Sequence, residues 1–239
     1  MERPELDDPE RAVATAGRRI AERPGDDAAH EARARALLAL GRLEEAEADA
    51  TDAVRLDPDE VRYRELLAEV QSRRGEHADA AAEYARLARR DPRQVAWTVA
   101  EAAERIEGAD AARGVDAARR AVRLDPRSFD AQLALARGLV RIGDAAGALT
   151  AARVAVELHP GDANGRESLA DALWLAGRAG AALHELGALA EELHGADRDR
   201  VLAKARALYR GQAGPLGRLM AALPGLFALA LRRGWIGVQ

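Results

Sequence analysis

Several residue types are missing or scarce in this chain of 239 residues, and each shortage excludes a class of function. Cysteine is absent, which excludes a disulfide framework, a thiol nucleophile and a thiolate metal site. Aromatic residues are only 3% of the chain, so the stacking surfaces that bind single-stranded nucleic acids are few. The uncharged run over residues 219–231 is 13 residues long and contains Pro-Gly, which is too short for a membrane span.

The motifs of common enzyme classes are also missing. The sequence contains no glycine-rich phosphate loop, no strand pattern to support one, and no serine in a nucleophile elbow. None of the histidines forms the i, i+4 pair of a zinc helix, and we interpret all of them as solvated surface residues. They are His30, His77, His159, His184 and His194. The sequence therefore predicts a protein that is not an enzyme and has no cofactor or metal.

Charge is distributed unevenly along the chain. The formal net charge is −4, yet residues 197–239 contain eight basic side chains and only two acidic ones. The acidic body disfavours nucleic acid as a partner. Lys204 is the only lysine. Because the first residues, MERPELDDPERA, lack the apolar region of a secretory signal, we expect a cytoplasmic protein.

Two residue types recur with a period of 34 residues. The prolines of this series are Pro24, Pro58, Pro92, Pro126 and Pro160. The alanines are Ala34, Ala68, Ala102, Ala136 and Ala170. A fixed period of this length indicates a repeat array, in which each unit buries its apolar face against its neighbours.

Each period predicts two helices. In the first period a helix over 28–40 is followed by the turn Gly41-Arg42 and by a second helix over 43–56, which Asp57-Pro58 ends. The turn position is Gly41, Gly75, Ala109, Gly143 and Gly177. Small residues also recur in the second helix, where two helix axes must come close: Ala46, Ala80, Gly114, Ala148 and Ala182.

This layout resembles the tetratricopeptide repeat family, whose typical sequence is similar to LLALGRLEEAEADATDAVRLDP (37–58) and to its repetition over 141–160. The resemblance implies an all-α fold, a right-handed superhelical solenoid of stacked antiparallel helix pairs. We assign residues 1–26 to an N-terminal half-repeat helix and 197–239 to an extra helix followed by a basic, apolar capping or anchoring segment. Five repeats lie between them, over 27–60, 61–94, 95–128, 129–162 and 163–196.

The chain departs from the family pattern in its first helices, in the third repeat, and at Lys204, where the series of alanines would continue. The large aromatic residue common near the start of the first helix is replaced by His30, Arg64, Thr98, Gln132 and Arg166. The third repeat has Glu101 and Arg105 where the family prefers apolar residues. A glutamate followed by arginine four residues later is favourable on an exposed helix surface. We therefore expect that repeat to be locally rotated or loosened.

The resemblance also implies where a partner binds, because first helices line the concave groove in this family. The groove residues so placed are Arg62, Glu65, Glu69, Val99, Ala103, Ile106, Leu133, Arg137, Val140, Arg141, Asp171 and Trp174. Apolar members become more frequent toward the C-terminal end, which suits an amphipathic helix or a hydrophobic peptide. We expect Trp174 to be an anchor; the alternative is that it packs against its own second helix or the next repeat. A lysine-based carboxylate clamp is disfavoured, since the required lysines are absent.

The C-terminal segment, residues 211–239, has three interpretations. An apolar face and basic residues fall together there: Leu219, Met220, Leu223, Phe227, Leu231, Arg232, Arg233 and Trp235. The face can cap the last repeat, which solenoids require. It can also anchor the chain peripherally to an anionic membrane surface. The third interpretation is docking to a partner protein or folding back onto the acidic body of the chain.

The sequence as a whole predicts a scaffold for protein–protein interaction that binds a peptide or amphipathic helix of a partner. The alternatives are a peripheral-membrane adaptor that uses the C-terminal segment and a regulatory subunit of an enzyme complex.

Overall fold

A computed structural model describes residues 8–212, 222 and 224–232 of the chain. These residues form α-helices and short turns, and no β-strand occurs among them. In chain order the helices are α1 (Pro9–Glu22), α2 (Asp27–Ala39), α3 (Leu43–Leu56), α4 (Val61–Arg73), α5 (His77–Arg90), α6 (Val95–Glu107), α7 (Ala111–Leu124), α8 (Phe129–Ile142), α9 (Ala145–Leu158), α10 (Ala163–Leu175), α11 (Ala179–Glu192), α12 (Gly195–Gln212) and α13 (Pro224–Arg232). The all-α fold and the helix pairs predicted from the period are confirmed.

The helix ends follow the punctuation of the repeat. Asp57, which precedes a periodic proline, ends α3 in an extended conformation with φ −132° and ψ 92°, because proline disfavours helical geometry in the residue before it. Turn glycines adopt positive φ in four repeats, at Gly41, Gly75, Gly143 and Gly177. The third repeat has Ala109 at this position, and there Gly108 ends α6 with φ −72° and ψ −162°.

The chain divides into two compact units, residues 1–124 and 125–239. Up to α12, helices that are consecutive within a unit pack against one another, and α13 packs against α11. We call α2, α4, α6, α8 and α10 the first helices of the five repeats, and α3, α5, α7, α9 and α11 the second helices. Within the units, α2 also contacts α4, and α8 also contacts α10.

Alanine makes the closest helix contacts. The small residues predicted at these contacts include Ala34, Ala46, Ala68, Ala80, Ala102, Ala136, Ala148, Ala170 and Ala182, all without exposed surface. Larger side chains fill the space beside them. Leu37, Leu66 and Val70 lie in a core cluster of the first unit, and Leu183 and Leu186 in one of the second.

Buried charged pairs stand in three of the repeats at the position where the family commonly has an aromatic residue. Each links a first helix to its own second helix, 19 residues later: His30 Nδ1 to Asp49 Oδ1 at 2.9 Å, Arg64 to Glu83 at 2.6 Å, and Arg166 to Glu185 at 2.6 Å. His30 is only 5% exposed, so the expectation that all histidines are solvated is wrong for this residue. The carboxylate of Asp49 compensates for its burial.

The third repeat buries a charge of the opposite sign on its first helix. Glu101 is 5% exposed and accepts hydrogen bonds from Arg105 at 3.0 Å and from Arg120 of α7 at 2.8 Å. The predicted pair of Glu101 with Arg105 therefore exists, but it is not a surface pair. Arg120 makes the burial possible, and α6 packs closely on α7.

Candidate partner-binding surface

The first-helix face of the first unit is the surface formed by Arg62, Glu65 and Glu69 of α4 with Val99 and Ala103 of α6. Arg62, Glu65 and Ala103 are exposed, while Glu69 and Val99 are half-buried. These five side chains, predicted from the sequence, are thus accessible on neighbouring helices of one unit. Two acids and one base border the apolar surface of Val99 and Ala103.

Tyr63 fixes the position of Arg62. The guanidinium carbon of Arg62 lies 5.0 Å from the centre of the Tyr63 ring, and its Nη2 donates to the Tyr63 hydroxyl at 3.2 Å. That hydroxyl donates to Asp27 Oδ2 at 3.1 Å. Burial raises the pKa of Tyr63, and the hydrogen bond to Asp27 acts in the same direction, against the opposing effect of Arg62. Tyr63 therefore remains a neutral donor that links α4 to α2.

Trp97 belongs to the same surface, and sequence reasoning missed it. It is half-buried near the start of α6, and its indole N–H donates to Glu65 Oε1 of α4 at 2.6 Å. The signal that could have found it is the tryptophan itself, in a chain with only three. The hydrogen bond satisfies the polar end of the ring, so the ring is held in one orientation between two first helices.

Ile106 was predicted to line the groove, but it is buried in the core. It is 3% exposed and lies at the contact of α6 with α7, where it faces Gly114. The other repeats have alanine at the position of Gly114. Because glycine has no Cβ, the isoleucine side chain enters the core.

In the second unit, α8 supplies most of the predicted groove residues. Arg137 and Arg141 are exposed and Val140 is half-buried, whereas Leu133 is 9% exposed and belongs to the core, which corrects its predicted place in the groove. Arg137 donates to Asn164 Oδ1 of α10 at 3.1 Å. This first-helix face of the second unit is therefore basic around a single valine.

Helix α12 neutralises the acids of α10. Lys204, at a position where the repeat has alanine, lies with its Nζ 2.7 Å from Asp171 Oδ2 and 3.5 Å from Glu167 Oε2. Arg200 binds the other oxygen of Glu167 at 2.5 Å. Asp171, predicted as a groove residue, is thus half-buried and paired.

Trp174 is half-buried and packs against the core cluster that joins α10, α11, α12 and α13. This placement agrees with the alternative interpretation, in which the tryptophan packs against its own second helix and the following elements. Only part of its ring remains accessible to a partner.

In the C-terminal segment, α13 buries Phe227, Ala230 and Leu231 inside the second unit. Phe227 has no exposed surface, Leu231 is 9% exposed, and the Phe227 ring lies 5.5 Å from that of Tyr209. Arg232 is exposed. Leu219, Met220, Leu223, Arg233 and Trp235 lie outside the described residues. No helix in the described part of the chain is long and apolar enough to cross a bilayer.

One group of side chains has the composition of a cation site. His30, Asp49 and Asp52 offer ligand atoms within 4.8 Å of one another. However, Arg33 donates to both oxygens of Asp49, at 2.6 and 2.7 Å. The guanidinium of Arg33 already engages both oxygens of Asp49, so the group is better explained as part of the buried charged pair.

Comparison of the sequence with models of protein families identifies one family. The tetratricopeptide repeat model matches residues 5–60, 31–95, 99–163 and 133–198. A sequence comparison with curated proteins gives no significant match.

Many solved structures share the fold, and three of them show how far the similarity extends. A tetratricopeptide repeat protein from Parabacteroides merdae is 16% identical, with a TM-score of 0.77 over 95% of this chain and 88% of that one. The C-terminal part of a repeat-containing protein from Cytophaga hutchinsonii is 14% identical, with a TM-score of 0.67 over 97% and 95%. YrrB, described as a TPR protein with an unusual peptide-binding site, is 16% identical, with a TM-score of 0.54 over 88% and 99%.

The 34-residue period, the paired helices and the left-handed turn glycines agree with these matches. The family matches extend over most of the chain, from residue 5 to residue 198. The chain belongs to the tetratricopeptide repeat family.

Proposed function

We propose that this protein is a non-enzymatic scaffold that binds a segment of a partner protein on its first-helix faces. The observation that carries the proposal is Trp97, a half-buried tryptophan whose indole N–H is fixed by Glu65 on the neighbouring first helix. Tryptophan is enriched among the residues that dominate interface energies. A ring held in place before binding loses little side-chain entropy when a partner arrives.

The face of the first unit favours a partner segment with both apolar and charged side chains. Val99 and Ala103 offer apolar surface on α6, and Arg62 and Glu69 border it on α4. An apolar centre inside a polar rim is the usual anatomy of a protein interface. An amphipathic helix or a short peptide fits this pattern. The peptide-binding site described for YrrB, a protein of the same fold, is consistent with the proposal.

The face of the second unit favours acidic residues in the partner. Arg137 is exposed on α8 and donates to the neutral side chain of Asn164, while the acids of α10 are engaged by Arg200 and Lys204 of α12. The positive charge of Arg137 is therefore not cancelled by Asp171. Charge complementarity of this kind increases association rates and selects partners.

The test compares two matched substitutions in the first unit. Ala103→Arg places a large cation on the first-helix face, four residues before Glu107. Ala112→Arg places the same side chain on the second helix α7, four residues before Asp116. Both alanines are exposed, so both variants should fold. Capture of partners from native cell extract, with identification by mass spectrometry, should be lost for Ala103→Arg and retained for Ala112→Arg. Equal capture by both variants would exclude this face.

A second pair of variants tests the face of the second unit. Arg137→Glu reverses an exposed charge on α8, and Arg153→Glu reverses an exposed charge on the second helix α9. For a partner identified in the first experiment, we expect slower association with Arg137→Glu only. Surface plasmon resonance at two ionic strengths measures this, because a charge contribution to association decreases with salt.

A further inference from the structure

The first unit contains a cleft to which membership of the tetratricopeptide repeat family assigns no role. It lies between α5, α6 and α7 and has a volume of about 610 Å³, within the range of small-molecule sites. Its apolar wall includes Ala85, Ala88 and Leu124. The polar part of the lining is dominated by arginine side chains, which come from all three helices.

The cleft lies beside the position at which the third repeat lacks the buried charged pair of the first, second and fifth repeats. Arg64 and Glu83 occupy this position in the second repeat, but the third repeat has Thr98 and Ala117 there. Thr98, which stands in place of Arg64, is only 4% exposed and lines the cleft, whereas Ala117 is fully buried and is not part of the lining.

Positive charge exceeds negative charge in the lining. Glu101 is the acid of the lining, and its two oxygens already accept from Arg105 and Arg120. Arg89 of α5 and Arg123 of α7 also line the cleft. Both are exposed, and neither forms an ion pair with any residue in the described part of the chain. Two guanidinium groups are therefore available for an anion.

Thr98 adds a neutral donor to these guanidinium groups. The hydroxyl of Thr98 has no hydrogen-bond partner among residues 8–212 or 224–232, and its oxygen is not one of the buried polar atoms left without a partner, so it is open to the cleft. Since Thr98 lines the cleft, its hydroxyl can donate to a ligand there.

We propose that this cleft binds the phosphoryl group of a small organic phosphate. A carboxylate offers two oxygens in one plane, whereas a phosphoryl group directs three oxygens to different sides, and arginine binds both groups well. Arg89, Arg123 and the Thr98 hydroxyl belong to three different helices and can each serve a different oxygen. The apolar wall then faces the organic part of the ligand.

The experiment measures binding of inorganic pyrophosphate to the full chain by isothermal titration calorimetry, with acetate at equal ionic strength as the comparison. We expect one saturable site for pyrophosphate and none for acetate. Arg89→Gln and Arg123→Gln should each weaken binding about tenfold, as expected for loss of a charge-assisted hydrogen bond. Thr98→Val, which keeps the shape of the side chain, should weaken it by a smaller factor.

Arg119→Gln is the matched control, because Arg119 is exposed on α7 but does not line the cleft. It should bind pyrophosphate as the parent does, and circular dichroism should show that all variants fold. The proposal is overturned if no saturable binding occurs up to about 10 mM pyrophosphate, or if Arg119→Gln weakens binding as much as Arg123→Gln. Much tighter binding of a phosphoserine peptide than of pyrophosphate would also overturn the assignment to a small molecule.

Discussion

The guanidinium of Arg64 on α4 lies 2.6 Å from a carboxylate oxygen of Glu83 on α5, and both side chains are largely withdrawn from water. Arg86 is a second cationic partner of Glu83. The same spacing of 19 residues joins His30 to Asp49. An unpaired charge at such a site is strongly unfavourable. We infer that these pairs fix the register of the first helix against the second within their repeats.

Removing one member of this pair should destabilise the first unit more than removing both. Glu83→Ala leaves the Arg64 guanidinium without its buried partner, and we expect a loss of about 3 kcal/mol in the free energy of unfolding. The double variant Arg64→Leu with Glu83→Leu should stay within about 1 kcal/mol of the parent, because no charge is then isolated. Urea unfolding followed by circular dichroism measures both. If the double variant loses as much as Glu83→Ala, charge isolation is not the cause.

Gly114 on α7 should resist replacement by alanine, although four repeats have alanine at its position. A Cβ there would lie 2.6 Å from Ile106 Cγ1 and 3.1 Å from backbone atoms of Ala102 and Ile106. Alanine gains about 1 kcal/mol in helix propensity, but overpacking costs about 1–3 kcal/mol. We expect Gly114→Ala to lower the midpoint of thermal unfolding.

Gly17 provides the matched control for this prediction. It lies inside α1, and a Cβ there would meet nothing closer than Arg33 Nη1 at 3.7 Å. Gly17→Ala should therefore raise the free energy of unfolding by about 0.5–1 kcal/mol. Adding Ile106→Ala to Gly114→Ala should remove the steric conflict, although the smaller side chain leaves its own cavity. A Gly114→Ala variant more stable than the parent would contradict the packing described for α6 and α7.

The helices were predictable from the sequence because their signals are local. Proline at a fixed spacing stops the second helix, and a turn glycine ends the first, whatever the distant contacts are. Glu101 shows the limit of this reasoning. Its sequence neighbour Arg105 makes it look like half of a surface pair, and only the approach of Arg120 from α7, 19 residues away, allows it to be buried.

The candidate site was less predictable because accessibility depends on the neighbouring helix. Ile106 and Val99 are both apolar residues of α6 that the family pattern places in the groove, yet Gly114 gives space to Ile106 alone. Trp97 was overlooked since its role depends on Glu65, 32 residues earlier in the chain. Lys204 likewise reaches Asp171 only after α12 has packed on the second unit.

Asp26 should make the stability of the first unit depend on pH in the acid range. It caps the N-terminus of α2. Burial raises the pKa of its carboxyl, but the backbone N–H of Ala29 and the guanidinium of Arg19 outweigh this and hold the pKa below its ordinary value. A lowered pKa means that the stabilisation is present above the ordinary pKa, near pH 4, and is lost as the pH falls through the folded value.

Asp26→Asn isolates this contribution, since asparagine is also a good N-cap but has no charge. At pH 7 the parent should unfold at a higher temperature than the variant. The difference should shrink as the pH is lowered below about 4 and disappear once Asp26 is protonated in the folded protein. Thermal unfolding over a series of pH values measures it; a difference independent of pH would show that the Asp26 charge contributes nothing.

Phe227 and Leu229 on α13 distinguish a cap from an exposed anchor. Phe227 is fully buried against the cluster that includes Leu183 and Leu186, whereas Leu229 is 38% exposed. Phe227→Ala should reduce the free energy of unfolding by about 3–5 kcal/mol. Leu229→Ala, a truncation only two residues away, should change it by less than about 1 kcal/mol.

If α13 instead served a membrane in preference to the core, both truncations would leave stability unchanged and reduce flotation of the full chain with anionic liposomes. We expect Phe227→Ala to lower stability and to leave flotation unchanged, because the ring of Phe227 packs against Tyr209 in the interior of the unit.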